Sequence, residues 1–163
     1  MKLCIIFSLS LIFISISCTT LNLQPADFSW PVESALKVDN KGNVTEERYS
    51  TEFNIAGLFY EEFQDSSAFK GKEIRLIRST GGDYFITGKE FKNVYVFKAS
   101  EGTLTLEKKI FISEFGLKEP AFNQRSPYIE LVDGDYNINL TSNGIEGGSK
   151  WVAQLWKQPF HFY

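Results

Sequence analysis

Hydrophobic and polar positions alternate along most of the chain in short runs that are separated by turn-forming residues. Between the turns, the runs are rich in the β-branched and aromatic residues that strands favour. Glycine permits the positive φ angle of tight turns, and asparagine and aspartate tolerate it. The turn signals stand at residues 39–43, 79–83, 99–102, 133–135 and 142–144. This pattern predicts one all-β domain over residues 28–163, a single antiparallel meander arranged as a sandwich or a barrel.

Individual runs predict particular strands. Residues 73–78 and 84–87 flank a glycine pair and form a predicted hairpin. Residues 93–97 are hydrophobic on both faces, so we expect a central strand that is covered on both sides. Residues 103–107 and 136–141 alternate regularly, and each should pack one face against the core and leave the other in water.

The segment at residues 54–63 fits two interpretations. Ile55, Leu58, Phe59 and Phe63 suit one face of a helix, and the residue before them, an asparagine, is a good helix cap. A glycine at position 57 and the crowding of aromatic residues favour a strand instead. We predict a strand and keep the helix as the alternative.

The longest predicted loop covers residues 114–126. It contains Pro120 and is followed by Pro127. Long loops in compact domains often carry function, so this loop is one candidate surface for a partner.

The N-terminus has the pattern of a secretory signal peptide. Met1 and Lys2 are followed by fifteen residues without a charge. A helix that spans a bilayer needs about 20 apolar residues, so the run is short for a permanent anchor. We interpret residues 1–17 as a cleaved leader.

The end of this leader resembles the lipobox of bacterial lipoproteins. Ser15, Ile16 and Ser17 precede Cys18, and a small residue stands directly before the cysteine, as the peptidase requires; Ser15 replaces the usual leucine. The resemblance implies that the Cys18 thiol is alkylated by diacylglycerol and becomes the first mature residue. Residues 18–27 would then tether the domain to a membrane, and Thr19 after the cysteine favours the outer membrane of the bacterial cell envelope.

Composition excludes several classes of protein. The chain has 163 residues, of which 43% are hydrophobic, too many for a disordered chain. The formal net charge of −3 provides no basic field for phosphates, so we expect no nucleic-acid partner. The chain has 2 cysteines, and loss of Cys4 with the leader leaves only the lipidated one. The mature domain must therefore fold by packing without disulfides.

Candidate chemistry is sparse, and the sequence predicts no enzyme, no metal and no cofactor. His161 is the single histidine, which is too little for a zinc site or a serine–histidine pair. Asp133 and Asp135 have the spacing that opens a calcium loop, but Ile138 and Gly144 occupy the places that need glycine and glutamate. We therefore interpret residues 133–135 as a hairpin turn.

Carboxylates and aromatic rings supply the remaining candidates. The chain has 20 acidic residues, among them the doublet Glu61 and Glu62, and two facing carboxylates would permit a hydrolase. Trp30, Trp151 and Trp156 are candidates for a ligand-binding platform, although aromatic residues of this kind commonly fill a core.

The expected function is that of a lipid-anchored, non-enzymatic binding or scaffolding module with a protein or glycan partner. A lipocalin-like carrier of a small apolar ligand is the first alternative, although residues 27–31 lack the Gly-x-Trp signature of that family. A carboxylate-based hydrolase is the second.

Overall fold

Antiparallel β-strands dominate the computed structural model, which describes residues 32–65, 67–100 and 102–147. The strands are β1 (Ser34–Lys37), β2 (Asn43–Glu46), β3 (Thr51–Asn54), β4 (Glu73–Arg78), β5 (Asp83–Gly88), β6 (Asn93–Ser100), β7 (Thr103–Phe111), β8 (Pro120–Arg125), β9 (Tyr128–Asp133), β10 (Tyr136–Thr141) and β11 (Gly144–Gly147). A 3-10 turn (Glu47–Tyr49) joins β2 to β3, and a short helix, α1 (Ala56–Phe63), follows β3.

The strands form two open sheets and a small hairpin. One sheet has five strands in the order β1-β4-β5-β6-β7, and the other has four in the order β11-β10-β9-β8. Strands β2 and β3 pair only with each other. Within the described residues neither sheet closes into a barrel. The all-β prediction is confirmed, and the architecture is the sandwich.

The first core fills the space between the two sheets. Phe85, Val94 and Val96 of the five-stranded sheet meet Phe122, Leu131 and other apolar side chains from the opposite side. The full set is Ile77, Phe85, Val94, Val96, Ile110, Ile112, Leu117, Phe122, Ile129, Leu131, Ile138 and Leu140. Each of these is at most 5% exposed, so the interior of the sandwich is filled by side chains.

A second core covers the other face of the five-stranded sheet. Helix α1 and the β2–β3 hairpin lie on this face, and Phe59, Ile55 and Val44 pack against Ile74 and Leu76 of β4. Five aromatic rings meet mostly edge to face at this layer, with the centroids of Phe59 and Phe91 5.0 Å apart. The central part of the five-stranded sheet is therefore buried on both faces.

The alternation of side chains explains how one sheet serves two cores. In β6, Val94 and Val96 enter the first core, whereas Tyr95 between them enters the second. The neighbouring β5 repeats this arrangement, since Val96 lies opposite Phe85 and Tyr95 opposite Ile86. The predicted central strand at residues 93–97 is confirmed, as is the hairpin of β4 and β5.

The strand predicted within residues 54–63 is wrong for most of that segment, which forms α1. Asn54 ends β3, and its Oδ1 accepts a hydrogen bond from the Ala56 backbone N–H at 3.0 Å, which satisfies one free donor of the first turn. Phe59 and Phe63 then face the second core, while Gly57 is exposed. Burial of the aromatic face outweighs the low helix propensity of glycine.

The long loop predicted at residues 114–126 is also wrong in its second half, because Pro120 begins β8. Proline has no N–H to donate, but it is tolerated at the first residue of an edge strand, where no partner needs that donor.

Residues 103–107 form a strand as expected. They belong to a two-stranded arm, made of the end of β6 and the start of β7, that mostly faces water. Leu104 is half-buried there and Leu106 is 44% exposed.

Gly116 allows the loop between β7 and β8 to lie directly on the turn after β5. The Leu117 N–H donates to the Phe91 carbonyl at 2.9 Å, and the Glu90 N–H donates to the Leu117 carbonyl at 2.7 Å. Gly116 has a φ of +76°, and a Cβ there would lie 2.5 Å from the Glu90 carbonyl oxygen. Both the backbone angle and the close approach therefore require glycine.

We expect Gly116→Ala to lower the free energy of unfolding by about 3 kcal/mol, because the clash with backbone atoms adds to the cost of a positive φ. Gly134→Ala is the matched control. Gly134 has a φ of +63° with no atom within 4 Å of the added Cβ, so only about 1 kcal/mol should be lost there. Denaturant unfolding measures both, and equal losses would contradict the packing argument.

Candidate binding groove

An open groove of about 620 Å³ runs beside β1, the edge strand of the five-stranded sheet. The strand itself forms one side. The turn after β1, strand β2, the 3-10 turn and Glu52 of β3 form the other. The hairpin contacts β1 without pairing to it, so the groove separates two strands that do not share hydrogen bonds.

Strand β1 directs backbone groups into this groove. The Val38 N–H donates to the Lys72 carbonyl at 3.1 Å, and the register places Leu36 opposite Ile74. Antiparallel pairs alternate between residues that bond to the partner strand and residues that do not. Ala35 and Lys37 therefore point their N–H and C=O groups away from β4, and no hydrogen bond joins those groups to another described residue.

The β2–β3 hairpin and its 3-10 turn form the side of the groove opposite β1, the hairpin wall, and a buried carboxylate holds this wall in place. Glu46 is 3% exposed, and its Oε1 accepts from both the Arg48 backbone N–H at 3.2 Å and Arg48 Nε at 3.0 Å. Arg48 also donates through Nη2 to the Ser34 hydroxyl on β1. A charged hydrogen bond of this kind is shorter and stronger than a neutral one. The contact ties the 3-10 turn to β1 while leaving the strand edge open.

Two other carboxylates on the rim are held by backbone donors. Glu33 Oε1 accepts from the Phe122 N–H of β8 at 2.7 Å. Burial raises the pKa of Glu33, although the Phe122 N–H and the Arg75 guanidinium both act to lower it. Asp39 Oδ1 accepts from the Asn43 N–H at 2.8 Å, and that bond holds the pKa of Asp39 below its usual range.

The three other outer edges of the two main sheets are each blocked. On β8, Pro120 lacks an N–H and the outward N–H of Phe122 is occupied by Glu33. On β7, the register slips so that Glu107 is an extra, bulged residue beside two lysines. On β11, the register slips in the same way at Glu146. Bulges, charges and proline are known devices against unwanted strand pairing. The outer edge of β1 carries neither a bulge nor a proline.

The acidic doublet of the sequence lies on α1, outside the groove. Glu61 pairs with Lys109 of β7 at 2.7 Å. Glu62 accepts three hydrogen bonds: from the Lys92 N–H at 2.8 Å, from Asn93 Nδ2 at 2.7 Å and from the Tyr95 hydroxyl at 2.8 Å. These contacts hold helix α1 against β6 and β7. The doublet therefore has a structural explanation.

The lipidation and ligand-binding residues suggested by the sequence lie outside the described residues. These are Cys18, Trp30, Trp151 and Trp156, and His161 lies there too. Asp133 and Asp135 stand at the β9–β10 hairpin as expected. Among the described residues, no group of histidine, cysteine and acidic side chains is placed to hold a metal. The helical part of the same residues contains no segment with the length and hydropathy of a membrane span.

Ala35 and Lys37 were not predicted as site residues from the sequence. A signal was present, because Ser34, Leu36 and Val38 alternate with exposed residues in the period of a strand. The local pattern predicts a strand but does not reveal that its partner, β4, lies on one side only.

No protein-family model, curated protein or solved structure matches the chain. The groove and the leader sequence are therefore the features of the chain that point to a function.

The Tyr95 hydroxyl gives a pH test of the helix attachment. Burial, followed by its bond to the Glu62 carboxylate, raises the pKa of Tyr95 far above the ordinary value near 10. A raised folded-state pKa contributes stability that is fully present below about pH 10 and is lost as the pH rises further.

We expect wild type and Tyr95→Phe to show equal phenolate absorbance at about pH 11 while folded, and wild type to show more once unfolded in denaturant. The free energy of unfolding of wild type should also fall more steeply above about pH 10 than that of Tyr95→Phe. A folded-state difference of one phenolate would contradict the buried hydrogen bond.

Proposed function

We propose that this protein is a lipid-anchored binding module of the bacterial cell envelope that captures an extended segment of a partner protein along β1. The observation that carries the proposal is the outer edge of β1, whose outward backbone groups face a groove and bond no described residue, while the other outer edges of the two main sheets are blocked. Strand addition to an open edge uses such groups, and the groove wall then selects side chains.

A polypeptide fits this groove better than an apolar ligand does. The groove is lined mainly by polar and charged side chains, and Ala35 and Leu36 are the two apolar residues of its lining. The space between the sheets is filled by twelve buried residues, so a carrier lumen of the lipocalin kind has no room there.

The leader sequence supports anchoring close to the groove. Cys18 would carry the acyl chains, and β1 begins at Ser34. The intervening chain spans at most about 55 Å when fully extended. The first strand of the fold is therefore presented near the membrane surface, where membrane proteins and other anchored proteins are concentrated.

For the anchor, we expect the native protein to carry a diacylglyceryl group on Cys18 as its first residue. Several acyl chains hold a protein to a bilayer far more firmly than one, so the protein should fractionate with membranes. Mass spectrometry of the purified protein identifies the group, and Cys18→Ala should move the protein to the soluble fraction. Cys4→Ala is the control and should change neither result. An unmodified N-terminus would refute the anchor.

For the groove, we expect the backbone amides of Ala35 and Lys37 to exchange rapidly with solvent in the free full-length protein and that of Leu36 to exchange slowly. A bound alternating valine–lysine octapeptide should slow the exchange of Ala35 and Lys37. Site-resolved hydrogen exchange by NMR measures all three. If Ala35 and Lys37 are already protected in the free protein, another part of the chain occupies the edge and the proposal fails.

Ala35→Pro removes the outward N–H of the strand without touching the bonds to β4. Stability should change by less than about 1 kcal/mol, because proline is tolerated on an exposed edge. Binding of the octapeptide should fall at least about tenfold. Val32→Pro is the matched control, since Val32 is exposed and lies outside the groove. Unchanged binding by a folded Ala35→Pro protein would exclude strand addition.

A further inference from the structure

We infer that the segment captured along β1 carries cationic side chains, Lys or Arg, at alternate positions. This inference rests on the proposed strand addition and names the chemistry of the partner. It follows from the charges that line the groove, from which of them are already paired, and from the face of the sheet to which each belongs.

Carboxylates outnumber cations in the groove. Its lining contains five acidic side chains and two basic ones, Lys37 and Arg48. The acidic residues are Glu33, Asp39, Glu46, Glu47 and Glu52. A groove lined by an excess of one sign attracts partners of the other sign and disfavours partners of the same sign.

Three of the five carboxylates already have partners. Glu33 bonds the Phe122 N–H and pairs with Arg75, Asp39 bonds the backbone of its own turn, and Glu46 pairs with Arg48. Glu47 and Glu52 differ from them. Both side chains are exposed, and neither carboxylate makes a hydrogen bond or an ion pair with another described residue. Two carboxylates thus remain available on the hairpin wall.

The two basic residues of the lining do not neutralise this wall. Arg48 is engaged by Glu46 and by Ser34. Ser34 contacts the hairpin, so its face of β1 is the hairpin face, and successive strand residues point to opposite faces. Lys37 is three residues after Ser34 and therefore points to the other face of the sheet, away from Glu47 and Glu52.

An added strand would place alternate side chains against the hairpin wall. Side chains on one face of a strand repeat about every 6.8 Å, so two neighbouring members of that row can meet two carboxylates on one wall. Glu52 is held in place by β3, where it lies opposite Thr45 of β2, another residue of the groove. Lysine or arginine at alternate positions of the captured segment matches this arrangement, and glutamate at the same positions opposes it.

Three labelled octapeptides test the inference: alternating valine–lysine, valine–glutamine and valine–glutamate. Fluorescence anisotropy with the full-length protein in detergent micelles measures their dissociation constants at low and physiological salt. We expect the lysine peptide to bind about tenfold more tightly than the glutamine peptide and the glutamate peptide to bind more weakly than both, with the difference shrinking as salt rises.

Substitutions of the two unpaired carboxylates on the hairpin wall test whether they cause the preference for the lysine peptide. Glu47→Gln and Glu52→Gln should each weaken the lysine peptide about threefold, and the double variant about tenfold, without changing the glutamine peptide. Glu107→Gln is the matched control, because Glu107 is an exposed carboxylate on the distant arm of β7. It should leave all three dissociation constants unchanged.

The outcomes separate the partner chemistry from the binding mode. If the three peptides bind equally and all lose affinity in Ala35→Pro, strand addition stands and the cationic partner is excluded. Tighter binding of the glutamate peptide also excludes it. If no peptide binds, the proposed strand addition fails and this inference fails with it. A lysine preference that persists in the Glu47→Gln, Glu52→Gln double variant would place the charge recognition elsewhere and overturn the inference.

Discussion

Burial of the inner strands of the five-stranded sheet on both faces is the constraint on which the rest of the structure depends. Alternate side chains of β4, β5 and β6 enter different cores, so a change at Tyr95 acts on the helical layer and a change at Val96 acts on the sandwich. Neither face of these inner strands is left for a ligand. The backbone of a sheet covered in this way can meet another molecule only at its edges.

The protection of the sheet edges is connected to the candidate groove through Glu33. Glu33 stands directly before β1, yet its carboxylate reaches the Phe122 N–H and thereby closes the edge of β8 in the opposite sheet. The Glu33 side chain therefore blocks the edge of β8 and also lines the groove at the open edge of β1. The bulges at Glu107 and Glu146 achieve the same protection at β7 and β11 by placing a charged residue out of register. Against this background, an unblocked β1 is a specific feature rather than a general property of the sheets.

Short sequence patterns predicted those elements that form between residues close together in the chain. The glycine pair at Gly81 and Gly82, flanked by alternating residues, defined the hairpin of β4 and β5. Helix α1 was mispredicted because tertiary packing, rather than the local sequence, decides between helix and strand there. Phe59 and Phe63 cover a face of the five-stranded sheet, most of which is formed by residues later in the chain. The groove was not predictable for the same reason, since the outward backbone of Ala35 is open only because β1 pairs with residues about forty positions away and with no described residue on its other side. The proposed sites at Cys18, Trp30, Trp151 and Trp156 remain predictions.

The proposed lipid anchor would also favour the proposed binding in the groove. Two outward residues, Ala35 and Lys37, provide at most about four backbone hydrogen bonds, each worth about 0.5–1.5 kcal/mol net, or about 2–6 kcal/mol in total. Ordering a free peptide consumes several kcal/mol, so such an edge binds weakly in dilute solution. Confinement of both partners to one membrane raises their effective concentration and makes a weak contact sufficient. A short edge with charge selection is therefore the kind of site that a tethered protein, rather than a free one, can use.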